Sequence, residues 1–260
     1  MSHSYKPDEI LSFATHLGEL MLKSGAETYR VEDTIMRILS SHHFEKADIF
    51  VTPTGIMATI RDASFSPCSI ICRVKNRSTR LDRVEEINQL SRDYVEGKIS
   101  IYEASSTLKK IENLPAYSPP VQMYITGLCC ISVCLMFGGG IKEVITSFFI
   151  GILVAQTLFF LKQKKLVNFF ILFIISICVG LIASIASLLF KGTLHIESMI
   201  IAGIMPFVPG VSFTNAVRDV IGDELLAGIS RAVEAFLIAL AIAAGIGLSM
   251  SIGISIGGIS

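Results

Sequence analysis

Five long stretches without a single charged residue occupy the second half of this sequence, at 121–141, 144–161, 166–190, 198–217 and 235–260. A helix needs about 20 apolar residues to cross the hydrocarbon core of a bilayer, and each run is long enough for that. Charge is divided accordingly. Residues 1–120 carry 15 Lys+Arg and 16 Asp+Glu, whereas residues 121–260 carry only 7 and 6. The chain therefore reads as an α-helical integral membrane protein of about five transmembrane helices, preceded by a small α+β cytoplasmic domain. The domain covers 1–115, a Pro-rich linker 116–120, and the helical part 121–260, with spans near 121–141, 144–161, 166–190, 198–217 and 235–258.

No secretory signal is visible. The first apolar stretch is interrupted by His16 and Glu19 and is amphipathic. The formal net charge is zero, which gives no support to a nucleic-acid partner. Six cysteines are present, four of them in apolar runs, and none has metal-ligand spacing. They read as buried free thiols, and no metal or cofactor is expected.

In the first half, Ile10, Phe13, Leu17 and Met21 recur at helical spacing, and Val31, Ile35, Ile38 and Leu39 mark a second helix. At the junction Ser24-Gly25-Ala26-Glu27, Gly25 suits a left-handed helix end. Ser24 and Glu27 have the spacing of a capping box for the second helix. Short strands follow at 48–52, 56–61 and 69–74, the first two flanking the turn Pro53-Thr54-Gly55. Helices return at 81–95, stopped by Gly97, and from the capping box Ser100–Glu103 to Pro115. No catalytic constellation stands out, and the chain is not expected to be an enzyme. His42 and His43 sit near a helix end, where carbonyls are free. Lys75, Arg77, Arg80 and Arg83 form a basic cluster, a solvated face or a contact for anionic lipid.

Loop charges orient the spans. With the N-terminal domain inside, the loop at 138–143 faces out with one Lys, and Lys162, Lys164 and Lys165 lie inside. The loop at 191–197 faces out with Lys191, and 218–234 lies inside with two Arg. Each step obeys the positive-inside rule. The expected location is the cytoplasmic (inner) membrane, multi-pass, with the N-terminus inside and the C-terminus outside.

The fourth run contains Met205-Pro206-Phe207-Val208-Pro209-Gly210. Two prolines remove amide donors and break the helix ladder. Freed carbonyls cannot face lipid, so this backbone must be buried in protein or line a wet cavity, as in the broken helices of transporters. Asn215, Arg218, Asp219, Asp223, Glu224, Arg231 and Glu234 follow. Four charges between 218 and 224 would cost on the order of 10 kcal/mol in hydrocarbon. They form an interfacial loop and helix, or they close the inner side of a substrate path. Pro206, Pro209, Gly210, Asn215, Arg218, Asp219, Asp223, Arg231 and Glu234 are the candidate path residues. Arg218 suits a substrate carboxylate. Asp219, Asp223 or Glu234 suits a coupling proton. Arg231 and Glu234 have helix-pair spacing.

The last run has small residues every four positions, at Ala241, Gly245, Ser249, Gly253 and Gly257. Such a stripe admits close helix approach, either internally or against a second subunit.

Several of these segments resemble the threonine/serine exporter family. They are the run from Leu20 through Ser24-Gly25-Ala26-Glu27-Thr28 to Glu32, Val51-Thr52-Pro53-Thr54-Gly55-Ile56, Arg80-Leu81-Asp82-Arg83-Val84, Val208-Pro209-Gly210, Asn215-Ala216-Val217-Arg218-Asp219, Gly222-Asp223, and Gly228 through Arg231 and Glu234 to Ala235. The resemblance implies secondary export of a small hydrophilic metabolite, with Gly25, Ala26, Glu27 and Thr28 as a signature of the cytoplasmic domain. Those four residues read first as an interhelix junction and second as a site. A split branch of the family, in which a chain of this size works with a smaller membrane partner, is associated with succinate-like dicarboxylates. The second membrane block of single-chain members is not found here, so a smaller membrane subunit or self-association is expected besides the bilayer and the substrate. No Walker motif occurs, so the chain itself shows no ATPase machinery, and the exporter reading carries the expectation of proton-driven transport. The competing expectation is a membrane-anchored enzyme or sensor acting through its cytoplasmic domain.

Overall fold

A computed structural model describes residues 6–75, 77–164, 166–190 and 193–257. Lys165 and Lys191, two of the loop charges above, lie outside them. The chain forms two compact units, Met1–Pro115 with Phe213–Ala232, and Ala116–Ser212 with Val233–Ser260.

The first unit begins with helices α1 (Pro7–Lys23) and α2 (Thr28–Ser40). Strands β1 (Lys46–Thr52), β2 (Gly55–Asp62) and β3 (Phe65–Arg73) form an antiparallel meander in the order β1-β2-β3. Val51 pairs with Ile56 and Thr52 with Gly55 across the tight turn at Pro53-Thr54. Helices α3 (Leu81–Val95) and α4 (Ile101–Glu112) follow. Alternation turns Val51, Ile56, Ala58 and Ile60 inward, where they join Leu11, Leu17, Met21, Ile35, Ile38, Leu39 and Ile87 in one core. The Ser100–Glu103 capping box is present on α4. His42 does not use a carbonyl at the helix end. Its Nε2 lies 2.7 Å from the Tyr94 hydroxyl, and burial lowers its pKa. Nor is the basic cluster wholly solvated. Arg80 grips Asp82, whose pKa falls to about 2, and Arg83 donates to the Leu114 carbonyl at 2.8 Å.

The second unit holds α5 (Pro119–Met136), α6 (Ile141–Gln163), α7 (Asn168–Leu189) and α8 (Ile196–Ile204), the last followed by a 3-10 turn (Met205–Phe207). Helix α9 (Gly210–Ile221) and helix α10 (Leu225–Gly257) complete the chain. Among the described residues, four helices, α5, α6, α7 and α10, are long and apolar enough to cross a membrane. The bent pair Ile196–Phe207 and Gly210–Ile221 makes a fifth if it counts as one broken span. Pro206 and Pro209 flank the break, as their missing amides require.

The small-residue stripe of α10 is used within this unit. A Cβ on Gly245 would meet the Phe173 carbonyl oxygen and the Ser176 Cβ, one on Gly253 the Ser184 hydroxyl, and Ser249 packs on Gly180. The stripe thus faces Ser176, Gly180 and Ser184 of α7, which repeat at the same four-residue interval. The surroundings of Gly257 lie outside the described side chains. Of the six cysteines, all free, only Cys130 and Cys134 are buried, so the expectation of six buried thiols is corrected. Cys129 is exposed. Glu143 is a buried carboxylate that accepts a hydrogen bond from the His195 amide at 3.1 Å.

Candidate functional site

Two helix junctions of the first unit meet residue by residue. The first is the turn from α1 to α2. Gly25 adopts φ +92, and the amides of Gly25 and Ala26 return to the carbonyls of Leu22 and Met21 at 3.1 Å each. This is a Schellman motif, which needs a left-handed residue at Gly25. The capping box expected for α2 does not form. Ser24 closes α1, its buried hydroxyl has no hydrogen-bond partner among the described residues, and Glu27 is itself the N-cap, with its side chain turned elsewhere.

The second junction joins α9 to α10. The amides of Asp223 and Glu224 return to the carbonyls of Val220 (3.3 Å) and Asp219 (2.8 Å), with Asp223 at φ +63. Asp223 therefore turns the chain, in a conformation that Asp tolerates better than most side chains, and is exposed. The two helices close on each other at Gly228. A Cβ there would lie 3.0 Å from the Ala216 carbonyl oxygen and the Val220 amide nitrogen. That approach brings Arg231, one turn further along α10, alongside α9. On α9, Asn215, Arg218 and Asp219 share a face by their spacing of three and four.

Each residue of the first turn is engaged by one residue of the second. Asn215 Nδ2 donates to the Gly25 carbonyl at 3.4 Å, a long contact. Arg231 Nη2 donates to the Ala26 carbonyl at 2.9 Å. Arg218 Nη1 donates to Glu27 Oε1. The Thr28 hydroxyl donates to Asp219 Oδ1 at 2.7 Å. Two ion pairs tighten the set. Arg231 Nε lies 2.9 Å from Asp219 Oδ2, and Arg30 Nε lies 3.1 Å from Glu27 Oε2. The Arg231–Asp219 pair is buried on both sides, so its charge attraction is little screened by water.

Burial divides this latch into a dry part and a wet part. Thr28, Asp219 and Arg231 are buried, whereas the Arg218 side chain is 55% exposed. The carboxylates of Glu27 and Asp219 face three guanidiniums, those of Arg30, Arg218 and Arg231. Beside them, Glu32 has its pKa raised, first by partial burial and then by the nearby Glu224 carboxylate, against a backbone hydrogen bond that lowers it.

Of the candidate path residues, Asn215, Arg218, Asp219 and Arg231 come together here, on the signature Gly25, Ala26, Glu27 and Thr28. Asp223 belongs to the same junction through its backbone. Pro206, Pro209 and Gly210 sit at the break before α9, and Glu234 lies further along α10, all in the second unit. Residues 218–234 are mostly helical. Only 222–224 separate α9 from α10. Sequence reading missed Arg30, although its spacing from Glu27 is that of a helical ion pair. The packing role of Gly228 has no local signal in the sequence.

The described residues thus combine apolar helices long enough for membrane spans with a charged latch in the α+β unit. The chain belongs to the threonine/serine exporter family, ThrE, whose profile matches residues 12–253. A protein of Mycobacterium tuberculosis (strain ATCC 25618 / H37Rv) named "Probable threonine/serine exporter" is 20% identical over 246 residues, covering 93% of this chain and 46% of that protein. The chain thus spans about half the length of that curated relative. No solved structure matches it.

Proposed function

We propose that this chain is a subunit of a secondary transporter that exports a small hydrophilic metabolite, threonine or serine or a succinate-like dicarboxylate, with proton coupling. Family membership supports the transport class. The observation that carries the reading is the latch, because it joins the family-signature residues 25–28 to the charged face of α9.

In this reading the latch is the cytoplasmic gate. Arg218 is half in water and already holds a carboxylate, that of Glu27. A substrate carboxylate presents the same two oxygens and competes for the same guanidinium. Asp219 is buried between Thr28 and Arg231, so its protonation removes half of a buried ion pair and loosens the remaining contacts. Pro206, Pro209 and Gly210 supply the backbone break that such a path requires. The four long apolar helices and the broken pair are read as five spans of the inner membrane. Lys162 and Lys164 on the cytoplasmic side support an N-in, C-out arrangement. A smaller membrane subunit or a second copy completes the unit, as the split branch suggests.

Proteoliposomes loaded with labelled threonine, serine or succinate test this, with and without a candidate partner subunit. The expected result is efflux above protein-free vesicles that slows when the pH gradient is collapsed. Efflux of none of the three would reject the substrate assignment, and indifference to the gradient would reject proton coupling. Arg218→Gln is expected to raise KM more than it lowers kcat.

A further inference from the structure

A polar cavity of the first unit lies beside the latch, between α2 and α3. Its volume is about 460 Å³, within the range of small-molecule sites. Arg30, Asp33, Thr34 and Arg37 line it from α2, and Ser91 and Arg92 from α3. The hydroxyls of Thr34 and Ser91 are buried at its floor and donate to backbone carbonyls at 2.8 Å each.

The charges around this cavity are unevenly satisfied. Arg37 is matched by Asp33 at 2.8 Å, and Glu96, also on the wall, is matched by Lys98 at 2.6 Å. Arg92 donates to the Gln89 amide oxygen at 2.6 Å, a neutral partner. Arg30 shares the single Glu27 carboxylate with Arg218. The wall carries three guanidiniums, Arg30, Arg37 and Arg92, against two carboxylates, Asp33 and Glu96, with Arg30 and Arg92 on opposite sides and the Asp93 carboxylate near Arg92. Guanidinium groups bind oxyanions in a fork geometry, so a ligand with two anionic oxygens, or oxygens at both ends, suits this pair.

We propose that this cavity binds a small dianionic metabolite, the chemistry shared by dicarboxylates and phosphate compounds, and that its occupant regulates the latch. The link is Arg30. A ligand that takes this guanidinium leaves Glu27 to Arg218 alone. By reciprocity, whatever strengthens Glu27 on Arg30 weakens the ligand. Binding stands without the transport reading, whereas the regulatory consequence rests on it.

The test is calorimetric titration of the full chain in nanodiscs with succinate and with inorganic phosphate, and with succinamide as the uncharged control. Saturable binding of a dianion and none of succinamide is expected, and the stronger of the two probes assigns the class. Arg92→Gln, which touches no latch contact, is expected to weaken binding about tenfold while leaving basal transport unchanged. Glu27→Gln, which releases Arg30, is expected to strengthen binding about threefold. Arg218→Gln, at a half-exposed residue whose loss does not threaten folding, is expected to weaken it, because Glu27 then turns wholly to Arg30. No saturable binding below about 10 mM, or unaltered affinity in Arg92→Gln, overturns the site. Equal affinities in the Glu27 and Arg218 variants overturn the coupling. A chain that binds in the expected pattern but exports nothing overturns only the transport reading.

Discussion

The two units join their helices by different physics. In the first, the junctions of α1–α2 and α9–α10 are held by directional contacts among Glu27, Thr28, Arg218, Asp219 and Arg231. In the second, α10 lies on α7 through Gly245, Ser249 and Gly253, with no charge in the contact. Close packing of small residues has one good geometry and does not respond to pH or salt. Ion pairs respond to both, and the more so where water reaches them. The first unit therefore has the contacts suited to switching, and the second those suited to holding.

The sharpest way to break this contrast is to remove the dry half of the latch. Asp219→Ala leaves Arg231 buried without its carboxylate and should cost about 3–5 kcal/mol. Thermal unfolding in detergent, with hydrogen exchange at α2 and α9, reads the loss. Protection unchanged at both helices would mean that the latch does not hold the first unit together. Next comes the packing seam. Gly245→Ala puts a Cβ against the Phe173 carbonyl oxygen, which is backbone and cannot swing aside, and should cost about 1–3 kcal/mol. Gly247→Ala, with open space at its Cβ, is the neutral comparison. The loss in Gly245→Ala should be the same in 1 M as in 0.1 M salt, unlike a change in the latch.

Smaller effects sharpen the same contrast. Arg218→Gln should cost no more than about 1 kcal/mol, because this guanidinium is half in water. That difference from native should shrink as salt rises, and a constant difference would argue against an electrostatic contact. The smallest effect concerns Glu32. Its folded pKa is raised, so the folded state holds the proton more tightly than the unfolded chain. Its contribution is thus unfavourable at neutral pH, and stability rises as pH falls through that folded pKa toward the ordinary glutamate value. Carboxyl NMR titration of Glu32 should show the upward shift, reduced in Glu224→Gln. An identical titration in both proteins would remove Glu224 as a cause.

Much of the first unit is readable from periodicity. The buried positions of α1 and α2, the Pro53-Thr54 turn, the Ser100–Glu103 box and the left-handed Gly25 all follow from spacing and local conformation. The Ser24–Glu27 box did not form, because Glu27 found guanidiniums on two sides that are stronger partners than a backbone amide. Asp223 shows the same limit. Spacing does not mark that its backbone supplies the turn that ends α9.

What the residues determined alone is the kind of elements this chain builds: amphipathic helices and a meander where charge is plentiful, long apolar helices where it is absent, and a break at Pro206 and Pro209. Those outcomes depend on neighbours within a few positions. Tertiary structure decided which side chains meet. Thr28 and Asp219 are 191 positions apart, and no local pattern marks either as the other's partner. Likewise the stripe on α10 is legible as a packing face, but only the fold sets it on α7. Spacing along one helix shows which residues share a face, and the path of the rest of the chain chooses what that face touches.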